Sequence, residues 1–539
     1  MRKAPMTLRL LLLAVVLATP ASALAEPGPC ATPHLMPSFV PPRVFPALAA
    51  GAREKDSRNP YGVPNELLTE SFAVRWGNNW QANQAGLQTL AEALEDAWQT
   101  QIVDLDHPAP PSADATRVNV YIGDSGNGTP SAFGAGGYFS QDEEGFPMMV
   151  INQASLETPA WTRVVALHEF YHSVQWGLGS YSYDESSPGA WYWEATASWV
   201  PSVTDPESPA NGTFLFGYAL LPHLELDAFD YPDSGALDEY HQYGAFIFPT
   251  FLVEAGFAPE LIRDTWVTPA GGTGDPIEAL RARLADEGAD FDALFTEFVA
   301  ANAFWDYTHG DYWEQVVLSG QQSYPNADFV TAWIDGEGTN GFESAPVNRK
   351  PRRYGANILR LDDLDDGEWL LRARFDDEGN QGSPASFGAM LVREALDGGI
   401  DYQRVSSEEL DVGVTVEPSG SQAVALVVTA SSVERRPGER FDWDWSIEPI
   451  VTQDDDDAAN DDDTANDDDD DAASDDDDGP RGGFGGGGAG CGCSSIDAPG
   501  GGLAAVLLLL YGIAAPRLRR RSAASSRRVP SGYSAAKST

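Results

Sequence analysis

The stretch Val164-Val165-Ala166-Leu167-His168-Glu169-Phe170-Tyr171-His172-Ser173-Val174-Gln175 decides how this chain is read. Trp161, Val164, Val165, Leu167 and Val174 give it helical apolar spacing. Side chains four apart on a helix lie one above the other. His168 and His172 can therefore aim two imidazoles at one point, half of a zinc site. Glu169 stands next to the first of them, where a carboxylate can take a proton from metal-activated water. The chain has only 7 histidines among 539 residues. Chance would produce this H-E-x-x-H spacing about 0.005 times in such a chain, so accident explains it poorly.

Thr158 is placed to cap this helix, Pro159 to open it, and Gly177 and Gly179 to end it. A second helix is expected from Ser187 and Pro188 up to Pro201. It is aromatic and small-residue throughout, with one acid, Glu194. A carboxylate in such surroundings needs a partner, because burying it unpaired is expensive. A metal ion would be that partner. Glu194 follows His172 by 22 residues (194 − 172), room for a turn-back that delivers a third ligand. Glu185 is the nearest alternative. Upstream, residues 85–103 read as a helix, and residues 68–74, 118–122, 138–139 and 148–152 as strands. The strand at 148–152 is the candidate sheet edge for holding a peptide by strand addition. Downstream, helices are expected over 259–266, 277–287 and 291–302.

From residue 354 the texture changes to short alternating strands between Gly, Asp and Pro turns, the pattern of an all-β sandwich. It has no histidine and is not expected to carry chemistry. Residues 1–25 read as a signal peptide, with a basic start, a short apolar run and Ala23-Leu24-Ala25 as the cleavage site. Residues 26–64 are a Pro-rich leader or short pro-segment. Three cysteines are too few for a disulfide scaffold, and in an exported protein an odd count leaves at least one thiol over. The net charge of −49 comes largely from an Asp-rich tract at 454–478, a self-repelling disordered spacer. No folded region is basic, which argues against nucleic acid as a partner. Then come Cys491, Cys493, an apolar run at 503–515 and Arg519-Arg520-Arg521, a short membrane span with a basic flank.

His168-Glu169-Phe170-Tyr171-His172, followed by Trp191-Tyr192-Trp193-Glu194-Ala195-Thr196-Ala197-Ser198-Trp199, resembles the gluzincin pattern. In particular it is similar to a group of secreted metalloproteases common in myxobacteria. The resemblance covers residues 68–341. It implies an α+β zincin-like domain, zinc held by His168, His172 and Glu194, and Glu169 as general base. Related zinc proteases place a Tyr or His downstream of the third ligand to meet the oxyanion. Tyr243 is the candidate, with Tyr240 and His241 as competitors. Four residues after the third ligand, thermolysin-like enzymes carry an aspartate; here that position is Ser198. The C-terminus resembles the MYXO-CTERM sorting signal, which implies a processing protease as partner and display at the cell surface, although the chain continues past the arginines.

The expected organisation is then a signal peptide (1–25), leader (26–64), metalloprotease-like domain (65–345) and β-sandwich (350–450). An acidic and Gly-rich linker (453–490), a sorting and transmembrane segment (491–521) and a tail (522–539) follow. The expected function is zinc-dependent hydrolysis of a protein or peptide substrate by an exported enzyme. The rival expectation is an inactive surface-displayed binding protein on the same scaffold.

Overall fold

The computed structural model describes Cys30 and residues 55–450, apart from residues 185, 231–235, 268–273, 365–366, 377, 396, 406–409 and 417–421. The expected signal peptide, acidic linker and C-terminal apolar run lie outside the described residues. Among the described residues no helix is long and apolar enough to cross a membrane.

The first half is a five-stranded mixed sheet covered by helices. The strands are β1 (Asn65–Leu68), β2 (Phe72–Trp76), β3 (Val118–Ile122), β4 (Gly137–Gln141) and β5 (Pro147–Ile151). The expected single strand at 68–74 is split by a hairpin turn at 69–71: Leu68 ends β1 and residues 72–74 lie in β2, which pairs antiparallel with it. The sheet order is β1-β2-β3-β5-β4. Strands β2, β3 and β5 run parallel, and β4 closes the sheet antiparallel to β5. So 148–152 is not an edge: β5 is flanked on both sides, all five of its residues are buried, and the edge on its side of the sheet is β4, with β1 at the far edge.

Three helices matter most: α1 (Gln84–Trp98), α2 (Pro159–Leu178) and α3 (Ala190–Thr204). Asn83 caps α1 by accepting from the Gly86 amide at 3.0 Å. A π-helical turn, Gln99–Asp104, continues it and aims Gln101 at the Leu167 carbonyl, 3.0 Å away in the core. Helix α2 is buried on nearly every face from Val164 to Trp176, as a helix wedged between a sheet and other helices must be. Thr158 sits at its N-cap position, yet its side chain makes no cap bond; its carbonyl accepts from the Thr162 hydroxyl at 3.0 Å. Gly177 stays helical, and the stop is Gly179 in the left-handed region, φ 61°. Pro201 does not end α3. It lacks one N–H, but its carbonyl still accepts from Asp205 N at 2.9 Å, so the last turn closes.

The second half adds β6 (Ala332–Asp335), β7 (Glu343–Ser344), β8 (Gly355–Asp363), β9 (Gly367–Phe375), β10 (Ser386–Ala395), β11 (Ile400–Val405), β12 (Leu410–Val416), β13 (Gln422–Ser431) and β14 (Trp443–Pro449). They form two sheets, β11-β10-β13-β8-β6 and β12-β9-β14-β7. Strands β6 (Ala332–Asp335) and β7 (Glu343–Ser344) join these sheets, so the β region begins well before residue 350. Period-2 alternation sorts the strand β8 (Gly355–Asp363). Leu359 and Leu361 point between the sheets, towards Leu371, Trp443 and Trp445. Ala356 and Ile358 point the other way, into the core of the helical half. There the helix Phe291–Asn302 lies against the outer face, with Phe291 and Phe295 edge-on to Tyr354 at 5.1 and 5.4 Å. The architecture is thus a mixed α/β chain whose two halves share one buried layer.

Candidate metal centre

Helix α2 delivers His168 and His172 one turn apart, and their Nε2 atoms lie 3.1 Å from each other. Two ring nitrogens that close, both in the interior, face a common point. Helix α3 packs against α2 and brings Glu194 to the same point. Its Oε2 lies 3.1 Å from His168 Nε2 and 3.6 Å from His172 Nε2. That oxygen is buried and makes no hydrogen bond, while Oε1 accepts one from the Tyr183 hydroxyl. Glu194 is fully buried, and no lysine or arginine forms an ion pair with it among the described residues.

The second carboxylate, Glu169, is also buried. It lies against the edge strand, where Gly137 makes the approach possible: a Cβ on Gly137 would stand 3.0 Å from Glu169 Cγ and 2.9 Å from Val165 Cγ1. The two acids are driven apart electrostatically. Burial pushes Glu169 above the usual carboxylate range, and the two imidazoles only partly offset this. Burial also pushes Glu194 up, but His172 and His168 outweigh it and hold that acid below the usual range. Burial thus favours the protonated form of Glu169, and the imidazoles favour the ionised form of Glu194.

The ring orientations are set by neighbours. Gln175 Nε2 donates to the Trp193 carbonyl at 2.9 Å, which leaves its Oε1 facing His172 Nδ1 at 2.7 Å. That contact assigns a proton of His172 to Nδ1 and turns Nε2 inward, towards His168 and Glu194. Ser198 Oγ stands 3.4 Å from His168 Nδ1, so the serine found at this position does face the first histidine of the pair. Tyr183 stacks on Trp193, with ring centres 4.9 Å apart, and so fixes the hydroxyl that meets Glu194.

Tyr243 reaches the centre as well. Its ring stacks on His168 at 6.2 Å, and its hydroxyl donates to the Cys30 carbonyl at 3.3 Å. Tyr240 packs on Phe216 and His241 on Tyr218 instead. Glu185 lies outside the described residues. A cavity beside His168 and Glu169 is lined by Gly137, Trp161, Val165, Ser198, Phe214, Tyr243 and Cys30. The donor atoms of Cys30, His168, Glu169 and His172 all lie within 4.8 Å of one another, a group that could hold a metal ion. Nitrogen, oxygen and sulfur donors of this kind suit a metal ion, and the buried Glu194 Oε2 lies 3.1 and 3.6 Å from the two histidine nitrogens of that group.

Sequence reasoning missed three residues here. Gln175 had a signal, an amide three positions after His172 on an otherwise apolar helix. Tyr183 sits in a loop with no periodicity to mark it. Cys30 is 139 positions from Glu169, and only its place in an odd cysteine count hinted at a role.

Residues 46–431 match a protein family described as a family of unknown function (DUF6055), and the chain belongs to that family. The match runs from ahead of β1 to the last residue of β13 (Gln422–Ser431), across both halves. No curated protein matches the chain.

Proposed function

We propose that this member of the DUF6055 family is a zinc-dependent peptidase of gluzincin type, with His168, His172 and Glu194 as metal ligands and Glu169 as general base. One observation carries the reading. Three donor atoms from two helices converge in the interior, and among the described residues no lysine or arginine pairs with the Glu194 carboxylate, only the two imidazoles. Bound there, zinc would supply Lewis acidity towards a peptide carbonyl and bring the pKa of a water towards ~7.

The chain's own residues account for the proton movements. Glu169, whose burial raises its proton affinity, takes the proton from the attacking water and passes it to the leaving amine nitrogen. Tyr243 donates a hydrogen bond to the oxygen that gains charge. Its hydroxyl already donates to a peptide carbonyl, that of Cys30. Gln175 and Ser198 hold the imidazoles in place. The antiparallel edge strand β4, next to Glu169, offers backbone groups to an extended peptide. That edge strand and the buried H-E-x-x-H helix under a mixed sheet support a zincin-like assignment. Export, membrane attachment through residues 491–521 and cutting by a sorting protease belong to the same proposal and rest on sequence pattern.

Metal analysis and casein hydrolysis by the full chain test the reading. The expected result is one zinc per chain, lost in Glu194→Gln, and hydrolysis abolished by chelator and in Glu169→Gln. Zinc retained by Glu194→Gln would sink the ligand assignment. No cleavage of any peptide library by zinc-loaded protein would favour a binding module instead.

A further inference from the structure

Cys30 is the one described residue ahead of residue 55, and it meets the centre with both its side chain and its backbone. The thiol donates to Glu169 Oε2 at 3.3 Å, and its sulfur lies within 4.8 Å of the histidine donor atoms. Its carbonyl oxygen accepts from Tyr243 at 3.3 Å. A single residue therefore engages the group that would deprotonate water and the group that would meet the oxyanion. Its carbonyl stands where a scissile carbonyl would receive Tyr243. Independently, Glu194 Oε2 is fully buried, has no hydrogen-bond donor assigned to it and lies 3.1 Å from His168 Nε2, so a buried carboxylate oxygen is turned towards the same histidine whatever Cys30 does.

Zinc takes thiolate, imidazole and carboxylate in four-coordinate sites. A site closed by four protein ligands is structural, and a hydrolytic one keeps a position for water. We propose that the Cys30 thiolate is the fourth ligand of the metal in the intact chain, and that it occupies the position water must hold. This rests on the peptidase reading for its consequence, latency, but the ligation itself does not. Opening the site is a ligand exchange. One water replaces one thiolate, which takes a proton from solvent and leaves as the thiol; no oxidant is needed. Cys30 would thus be a built-in inhibitor of the centre.

Cobalt substitution of the full chain reads the ligation directly. The expected result is a thiolate-to-cobalt charge-transfer band that is lost in Cys30→Ser and kept in the Cys491→Ser/Cys493→Ser double variant, with one metal per chain in each. If the thiolate holds the position nine-tenths of the time or more, casein hydrolysis rises about tenfold or more in Cys30→Ser. Alkylation of Cys30, mapped by mass spectrometry on the unaltered chain, should be slow with metal and fast after chelation. No band in the metal-loaded wild type, a band that survives Cys30→Ser, or alkylation indifferent to metal overturns the ligation. Equal hydrolysis by wild type and Cys30→Ser overturns the inhibition. Band and metal as expected with no hydrolysis by either chain leaves the ligand in place and fells the peptidase reading. A chain that binds no metal overturns both.

Discussion

Two buried charge clusters in this molecule invite comparison. At the junction of the halves, Arg353 reaches Asp227 at 3.0 Å and Asp275 at 3.4 Å, and Arg435 adds a second contact to Asp227 at 2.8 Å. Between α2 and α3, Glu169 and Glu194 are just as deeply buried, but what faces them is imidazole and a thiol. The first cluster encodes its cations in the sequence. In the second, no lysine or arginine pairs with Glu194 among the described residues, and a metal ion is the counter-charge we propose. Burial alone thus does not separate a structural network from a functional centre; the source of the counter-charge does.

The sharpest way to break this contrast is Glu169→Gln. Removing a general base should lower hydrolysis by about 10³-fold with the metal content unchanged. Turnover and metal analysis on one sample check it, and a fall of less than tenfold would take Glu169 out of the mechanism. Arg353→Ala should do the opposite. Stranding Asp227 and Asp275 in the interior should cost about 3–5 kcal/mol in urea unfolding and leave metal stoichiometry alone.

Acid should separate the halves in a different way. Burial holds His107 and His241 at about 3 and His223 at about 4, below the ordinary value near 6.5. The folded chain keeps them neutral while the unfolded chain takes up protons below pH ~6.5, so stability falls as pH drops towards 4. Each should cost about 1 kcal/mol between pH 7.5 and 5.5. His241→Phe should flatten that slope by one histidine's share, read from urea midpoints at both pH values. An unchanged slope would mean that His241 titrates normally. The smallest effect concerns orientation: Gln175→Leu frees the His172 ring and should weaken metal binding by about 10- to 100-fold, measured by competition with a chromophoric chelator.

What could be read from the sequence was what short-range pattern encodes. The i, i+4 histidines, the buried strand β3 and the helix Phe291–Asn302 follow from local periodicity, and the structure has them where the spacing puts them. The edge strand was not readable. Met148–Ile151 and Tyr138–Phe139 are similarly apolar, and which of them is flanked depends on how the chain crosses over between distant strands. Pro201 misled because a helix terminus depends on the bonds the last turn still makes. Cys30 was invisible for the same reason as the edge strand. A contact across 139 positions leaves no trace in spacing.

The shared layer between the halves has one more consequence. Met390, Val392, Ala425 and Val427 belong to the same buried cluster as Phe295 and Phe298, and Thr296 meets Thr429 hydroxyl to hydroxyl at 2.8 Å. Separating the halves would expose that whole layer to water. Unfolding of the two should therefore be cooperative, a single transition in calorimetry, and disturbance of the sheet region should be felt at α2 and α3.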